Sequence, residues 1–419
     1  MTEATLVPDL PNKGVEGLSY FTPAQDPVAG STKTHTTQDD DVSVVPKLFE
    51  PLKIRHVEFQ NRIFVSPMCQ YSAQDGHLTH WHLSHLGGIL MRGPGLTMIE
   101  ATAVLANGRI TPQDSGLWQD SQMGPLKMIV DFAHSQGQKI GIQLSHAGRK
   151  ASTVAPWLAG ASLATENVGG WPSDVWGPSD VAFTDTMAKP ICMGKAEMEE
   201  LKEGWAAATR RAVQVGFDVI EVHAAHGYLL SSFHSPAVND KRTDEYGGPP
   251  LENRTRLTRE IVQVTRKNMP ETMPLFVRVT ATDWLEENPD FAESWTPDQT
   301  VELAASLTGL GVDLIDVSSG GNHVLQHIHS RPGFQAPFAT MIKKRLGHDM
   351  LVATVGMINE GKLANKLLQE DELDAVFVGR AFLKNPGLVW AWADELGTKV
   401  AQAHQIAWGF SGRKMPGRN

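Results

Sequence analysis

The sequence predicts a closed parallel β/α barrel of eight strands, a (β/α)8 or TIM barrel, and three observations predict it. From Lys47 onward, eight short apolar, β-branched runs alternate with longer amphipathic segments. The runs are apolar almost throughout instead of alternating, as strands covered on both faces of a parallel sheet must be. Gly216, Gly311 and Gly347 stand between a helical pattern and the next run, where a short αβ loop needs a helix stop. An open doubly wound sheet is the rival architecture, but eight units in a row favour closure.

In chain order the runs are residues 62–66, 97–101, 139–144 and 218–223, then 275–279, 314–318, 351–355 and 375–379. Helical patterns fill the intervals, clearest over 196–215 and 252–268. Residues 1–46 are rich in Pro, Thr, Asp, Gln and Gly and show no period, which reads as an irregular N-terminal arm, disordered or draped over the body. The barrel is expected over 47–397 and a C-terminal tail over 398–419. The connection 151–195, between the third and fourth runs, holds four Pro and three Trp without a helical period. A loop of that length either caps a site or packs on its own tryptophans, and the expectation is a capping loop.

Composition narrows the function classes. The chain has 419 residues, 41% hydrophobic and 20% charged, as a globular protein has. A net charge of −10 argues against nucleic-acid or anionic-membrane partners, which want a basic face. No apolar run approaches the roughly 20 residues that cross a bilayer. The first residues carry no secretory pattern and the last four, Pro-Gly-Arg-Asn, no peroxisomal address. Two cysteines, Cys69 and Cys192, build neither a disulfide framework nor a four-cysteine iron–sulfur site. A cytoplasmic location is expected.

Barrel chemistry collects at the C-terminal ends of the strands. The first run leads into Ser66-Pro67-Met68-Cys69-Gln70-Tyr71, the second ends at Ala101, and the third carries Gln143 and His146. The fourth enters His223-Ala-Ala-His226-Gly-Tyr228, and the fifth holds Arg278 in an otherwise apolar strand. The last two end in Gly356-Met357 and Gly379-Arg380. A phosphorylated flavin makes sense of this set. Backbone N–H groups at Gly356 and Gly379 with the Arg380 guanidinium suit a phosphate. Arg278 could stabilise charge on the N1–C2=O edge of reduced flavin, and Gln143 suits the pyrimidine edge. Each has a plainer alternative, since a buried Arg can pair with a carboxylate and a Gly can serve its turn alone. His223 and His226 lack the His-Glu-x-x-His pattern and an acidic third ligand, so no metal is expected there. Two neutral imidazoles can instead donate hydrogen bonds to one carbonyl oxygen, and Tyr228 can supply a proton. His323, His327 and His329 have ligand-like spacing but read as loop or pocket residues. No Gly-x-Ser-x-Gly or Gly-x-Gly-x-x-Gly segment is present, against hydrolysis by a nucleophile elbow and against a Rossmann site.

A set of segments in fixed order then resembles the old yellow enzyme family of FMN-dependent ene-reductases over about residues 46–396. They are Ser-Pro-Met-Cys-Gln-Tyr (66–71), Gly-Arg-Ile-Thr (108–111), Gln-Leu-Ser-His-Ala-Gly-Arg-Lys (143–150) and His-Ala-Ala-His-Gly-Tyr-Leu (223–229). Arg-Thr-Asp-Glu-Tyr-Gly-Gly (242–248), Glu-Asn-Arg (252–254) and Val-Gly-Arg (378–380) follow. Cys69 is similar to the cysteine of the thermophilic-like branch, and the long arm and Trp-rich loop resemble its filamentous-fungal members. The resemblance implies FMN contacts from Ser66, Pro67, Met68, Cys69, Ala101, Gln143, His223, Arg278, Gly356, Gly379 and Arg380. It makes His223 and His226 the grip on a substrate carbonyl, Tyr228 the proton donor and Tyr71 a substrate-side aromatic. Trp408, in 406–410, stands where bacterial members place an arginine shared between subunits, so any homo-oligomer would lack that shared arginine. The expected activity is NADPH- or NADH-driven reduction of the C=C bond of α,β-unsaturated carbonyl compounds. A redox-neutral flavin isomerase or cyclase and a non-catalytic flavin-binding protein are the alternatives.

Overall fold

The structure is a computed structural model that describes residues 11–33, 44–291 and 293–411. Eight strands form a closed barrel: β1 (Ile63–Val65), β2 (Leu96–Ala103), β3 (Ile140–Ser145), β4 (Val219–Ala224), β5 (Leu275–Thr280), β6 (Leu314–Ser318), β7 (Leu351–Thr354) and β8 (Ala375–Val378). Neighbours pair in parallel, and β8 closes on β1 through Val376↔Ile63, Phe377↔Phe64 and Val378↔Val65. All eight expected runs become barrel strands. The longer helices pack outside: α1 (His80–Leu90), α2 (Met123–Ser135), α3 (Lys195–Val215), α4 (Leu251–Lys267), α5 (Pro297–Thr308), α6 (Ala336–Leu346), α7 (Gly361–Gln369) and α8 (Leu388–Glu395). Gly216 ends α3 in the left-handed region at φ 99°, where a Cβ would be strained.

Period two along the strands explains where the site lies. Ile220 and Val222 of β4, Val277 and Val279 of β5, and Ile315 and Val317 of β6 face the helices in the main core. The alternate residues point into the barrel and change character from bottom to top. At the floor, Phe64, Met98, Val219, Phe276, Leu314 and Phe377 form an apolar plug with Leu52, Ile54 and Phe59. The last three belong to an antiparallel hairpin, Leu52–Ile54 with Val57–Phe59, beneath the barrel. Phe64 lies 5.0 Å from Phe59 and 5.5 Å from Phe377, ring to ring, and each such buried ring contributes about 2 kcal/mol. Two residues further along, the inward positions are Glu221, Arg278 and Asp316; two further again, His223, Thr280 and Ser318. An apolar floor therefore supports a polar, reactive top.

Residues 11–33 lie along the body. Thr32 bridges Val400, Gly30 N–H donates to Ala401 O (2.9 Å) and Ala401 N–H donates to Ser31 O (2.7 Å). Residues 1–10 and 34–43 of the expected arm, and 412–419 of the tail, lie outside the described residues. The loop 151–195 is built from short 3-10 turns and a parallel pair, Trp176–Gly177 with Ile191–Cys192. Among the described residues, no helix is long and apolar enough to cross a membrane.

Candidate active site

A buried ionic layer forms the base of the site. Arg278 Nε donates to Asp316 Oδ2 (2.5 Å) and a terminal nitrogen donates to Ser66 Oγ (2.8 Å). Gln143 Nε2 donates to Glu221 Oε1 (2.7 Å). One guanidinium faces two carboxylates, so both cannot stay ionised without leaving a buried excess charge. Asp316 holds the direct contact; burial pushes the Glu221 carboxyl up, Arg278 only partly opposes this, and the nearby Asp316 adds to it. Glu221 Oε2, Asp316 Oδ1 and His223 Nδ1 are buried with no hydrogen-bond partner among the described residues, and such groups call for an acceptor, donor or ligand. The plain alternative for Arg278 is thus realised in part, with Asp316 its partner.

Above this layer the loop after β4 presents His223, His226 and Tyr228. The His223 ring is 5.2 Å from His226 and 5.1 Å from Tyr228, edge to face with both. Burial, reinforced by Arg278 and Lys150, holds His226 down at about 3 and His223 well below its ordinary range, so both rings are neutral at pH 7. His226 Nε2 meets Ser318 Oγ at 2.6 Å, which leaves Nδ1 as its nitrogen for a ligand. His226 sits at φ 63°, held by its N–H to Thr280 Oγ1 (2.7 Å). Gly321 fits against this turn because a Cβ there would overlap the His226 backbone. Burial pushes the Tyr228 phenol well up, so it stays protonated.

Tyr71, Lys150, Val154, Phe183, Met187 and Tyr228 line a cavity of about 180 Å³ over this group. The expected capping loop supplies one wall: Trp157 packs edge-on to Tyr71 (5.8 Å), and Trp176 stacks on His146 (5.5 Å). His146 is thereby structural; burial lowers it to about 3 and its Nδ1 accepts from Gly148 N–H. Cys69 is half-buried; burial first, then Asp114 and Glu100, pushes its thiol well up, so it is no thiolate. Ala101 is buried in the last half of β2, just after a bulge between Ile99 and Ala101.

At the ends of β7 and β8, Met68, Gly356, Met357, Asn359, Gly379 and Arg380 line a second cavity of about 200 Å³. Gly356 has φ 120°, and a Cβ would press on Gln335 and Phe334. Arg380 is exposed and has no ion-pair partner among the described residues. A cradle that only glycine fits, a free guanidinium and orphaned buried polar atoms one layer below suit a phosphorylated, hydrogen-bonding cofactor such as FMN. Sequence reasoning brought these residues to one end of the barrel but missed Glu221, Asp316, Ser318 and Lys150. Burial lowers Lys150 to about 7; its Nζ donates to His226 O (2.8 Å) and lies 4.1 Å from the Phe183 ring centre.

Residues 47–398 match the sequence profile of the NADH:flavin oxidoreductase / NADH oxidase family. The chain is 53% identical over 409 residues to NADH:flavin oxidoreductase FG08077 of Gibberella zeae, covering 96% of each. It is 39% identical to the NADPH dehydrogenase of Bacillus subtilis, covering 87% of this chain and 99% of that one. Among solved structures, morphinone reductase superposes with a TM-score of 0.68 at 23% identity, covering 85% of this chain and 91% of that chain. A 2-naphthoyl-CoA reductase complex superposes at 0.74 and 23% identity over 83% of this chain, which spans only 52% of that longer protein.

Proposed function

The chain belongs to the NADH:flavin oxidoreductase / NADH oxidase family, the old yellow enzymes, as an FMN-dependent NAD(P)H oxidoreductase, and on that premise we propose that it reduces the activated C=C bond of α,β-unsaturated aldehydes, ketones and maleimides. The observation that carries this reading is the convergence of two neutral imidazoles and a protonated phenol over the ionic layer, with the His223 ring about 5 Å from both the His226 ring and the Tyr228 ring. FMN, when bound, supplies the hydride chemistry. The chain supplies polarity and a proton. His223 Nδ1, which has no partner among the described residues, and His226 Nδ1 donate to the substrate's carbonyl oxygen and favour the enolate-like charge that develops there. For His226 this requires Nδ1 to carry the proton, with Ser318 Oγ donating to Nε2. Tyr228 protonates the α-carbon. Ser66, Pro67, Met68, Cys69, Ala101, Gln143, Arg278, Gly356, Gly379 and Arg380 would hold the flavin, and Tyr71 with the 151–195 cap would shield the acceptor from water. NADPH or NADH and the acceptor use one cavity in turn, which gives ping-pong kinetics. Two unpaired cysteines suit a reducing cytosol.

The test is anaerobic. The purified yellow protein is reduced with NADPH, then cyclohexenone or N-methylmaleimide is added while flavin absorbance is followed. Prompt reoxidation with formation of the saturated product supports the reading. A reduced flavin that no acceptor reoxidises, or product formed from an unsaturated substrate without any nicotinamide, overturns it.

A further inference from the structure

On the barrel rim, two loops bring three metal-ligating side chains together. Glu287 lies in the loop after β5, and His327 and His329 stand two residues apart in the loop after β6. His327 Nδ1 is 3.4 Å from Glu287 Oε2, and His329 Nε2 is 3.2 Å from Glu287 Oε1. The ligand atoms of the three all lie within 4.8 Å of one another. Donors bound at roughly 2.1 Å to a tetrahedral ion are about 3.4 Å apart, so the three can close on a single centre with small side-chain movements. The loops hold the groups in place: His327 N–H donates to Trp284 O (2.8 Å), Gly321 N–H donates to Gln326 Oε1 (2.6 Å), and the His329 ring stands edge-on to Trp284 at 6.0 Å. Glu286 and Asp290 add negative charge in the same loop as Glu287. His323 takes no part, since its Nδ1 accepts from Leu325 N–H and its ring packs on Phe291.

We propose that Glu287, His327 and His329 bind a divalent transition-metal ion of the zinc class, with water completing the shell. Two imidazoles and one carboxylate select Zn²⁺, Ni²⁺ or Cu²⁺ over Mg²⁺ and Ca²⁺, which prefer all-oxygen shells. All three side chains are exposed, so the ion reaches them without opening the fold. Its effect would be to clip the loop after β6 to the loop after β5. The site stands independently of the reductase reading.

Tag-free, flavin-loaded protein, stripped with chelator and dialysed, is titrated with ZnCl₂ by calorimetry, beside the double variant H327A/H329A and E287Q. The expected result is one zinc per chain that disappears in the double variant and weakens about tenfold or more in E287Q, with a zinc-dependent rise in the thermal midpoint of the wild type only. Unchanged flavin absorbance confirms that the surface variants are folded. Equal zinc uptake by wild type and double variant overturns the proposal, as does uptake by neither; the three groups are then an ion-pair cluster only.

Discussion

Replacing Tyr228 by Phe keeps the ring against His223 and removes only the hydroxyl, so enone turnover should fall by about 10² or more. Reduction of the flavin by NADPH should be nearly unchanged, because that half-reaction needs no phenol. Stopped-flow measurement of the two half-reactions separates them, and a Y228F enzyme with wild-type turnover would remove Tyr228 from its role. His223→Ala takes away a hydrogen bond to the ligand oxygen, and p-hydroxybenzaldehyde should bind about tenfold more weakly in a spectral titration; equal affinity would sink the carbonyl clamp. At this scale the sequence was informative where a polar residue interrupts an apolar run. Arg278 stood out for that reason, and Glu221 and Asp316 carry the same signal in 218–223 and 314–318. Their pairing was not legible, because which inward residues meet depends on the stagger of neighbouring strands, and one strand read alone does not contain it. Lys150 lay inside a recognised segment, yet the Phe183 and Tyr228 rings that cover it come from the cap and from the loop after β4.

Two loops, after β4 and after β6, touch backbone to backbone at His226 and Gly321. Because Gly321 has φ 96° and a Cβ there would overlap main chain instead of a flexible side chain, Gly321→Ala should destabilise the protein by about 1–3 kcal/mol. It should also displace His226, so that acceptor affinity falls along with the thermal midpoint; a variant with both values intact would show that the loops adapt freely. The eight barrel strands were legible because each is a short, predominantly apolar run between turn signals. The hairpin Leu52–Ile54 with Val57–Phe59 was not, since three-residue strands are too short to show a period. The bulge in β2 escaped for a different reason: it is a property of the pairing with β3, invisible in β2 alone.

For the molecule as a whole, buried neutral histidines weaken the fold in acid, whereas buried carboxyls held up by burial, such as Asp114 and Glu221, act in the opposite sense. Burial holds His146 and His234 at about 3, whereas each titrates near 6.5 in the unfolded chain. The unfolded state therefore binds more protons between those values, so stability is complete above pH ~6.5 and falls as pH drops toward 3. At pH 5 each ring should cost about 2 kcal/mol. The change in thermal midpoint from pH 8 to pH 5 should be less destabilising in His234→Gln than in the wild type; an equal change in both would assign the acid sensitivity elsewhere. The barrel class was legible at this scale, but the seam between residues 30–33 and 399–401 was not, because no local pattern marks a contact across nearly the whole chain. That seam has a temporal meaning. On the ribosome the segment around Thr32 emerges before all eight β/α units, and its partner around Val400 only after them. The early segment can meet Phe49 and Asn61 once they are made, but its bridge to Val400 must wait until all eight β/α units have been synthesised.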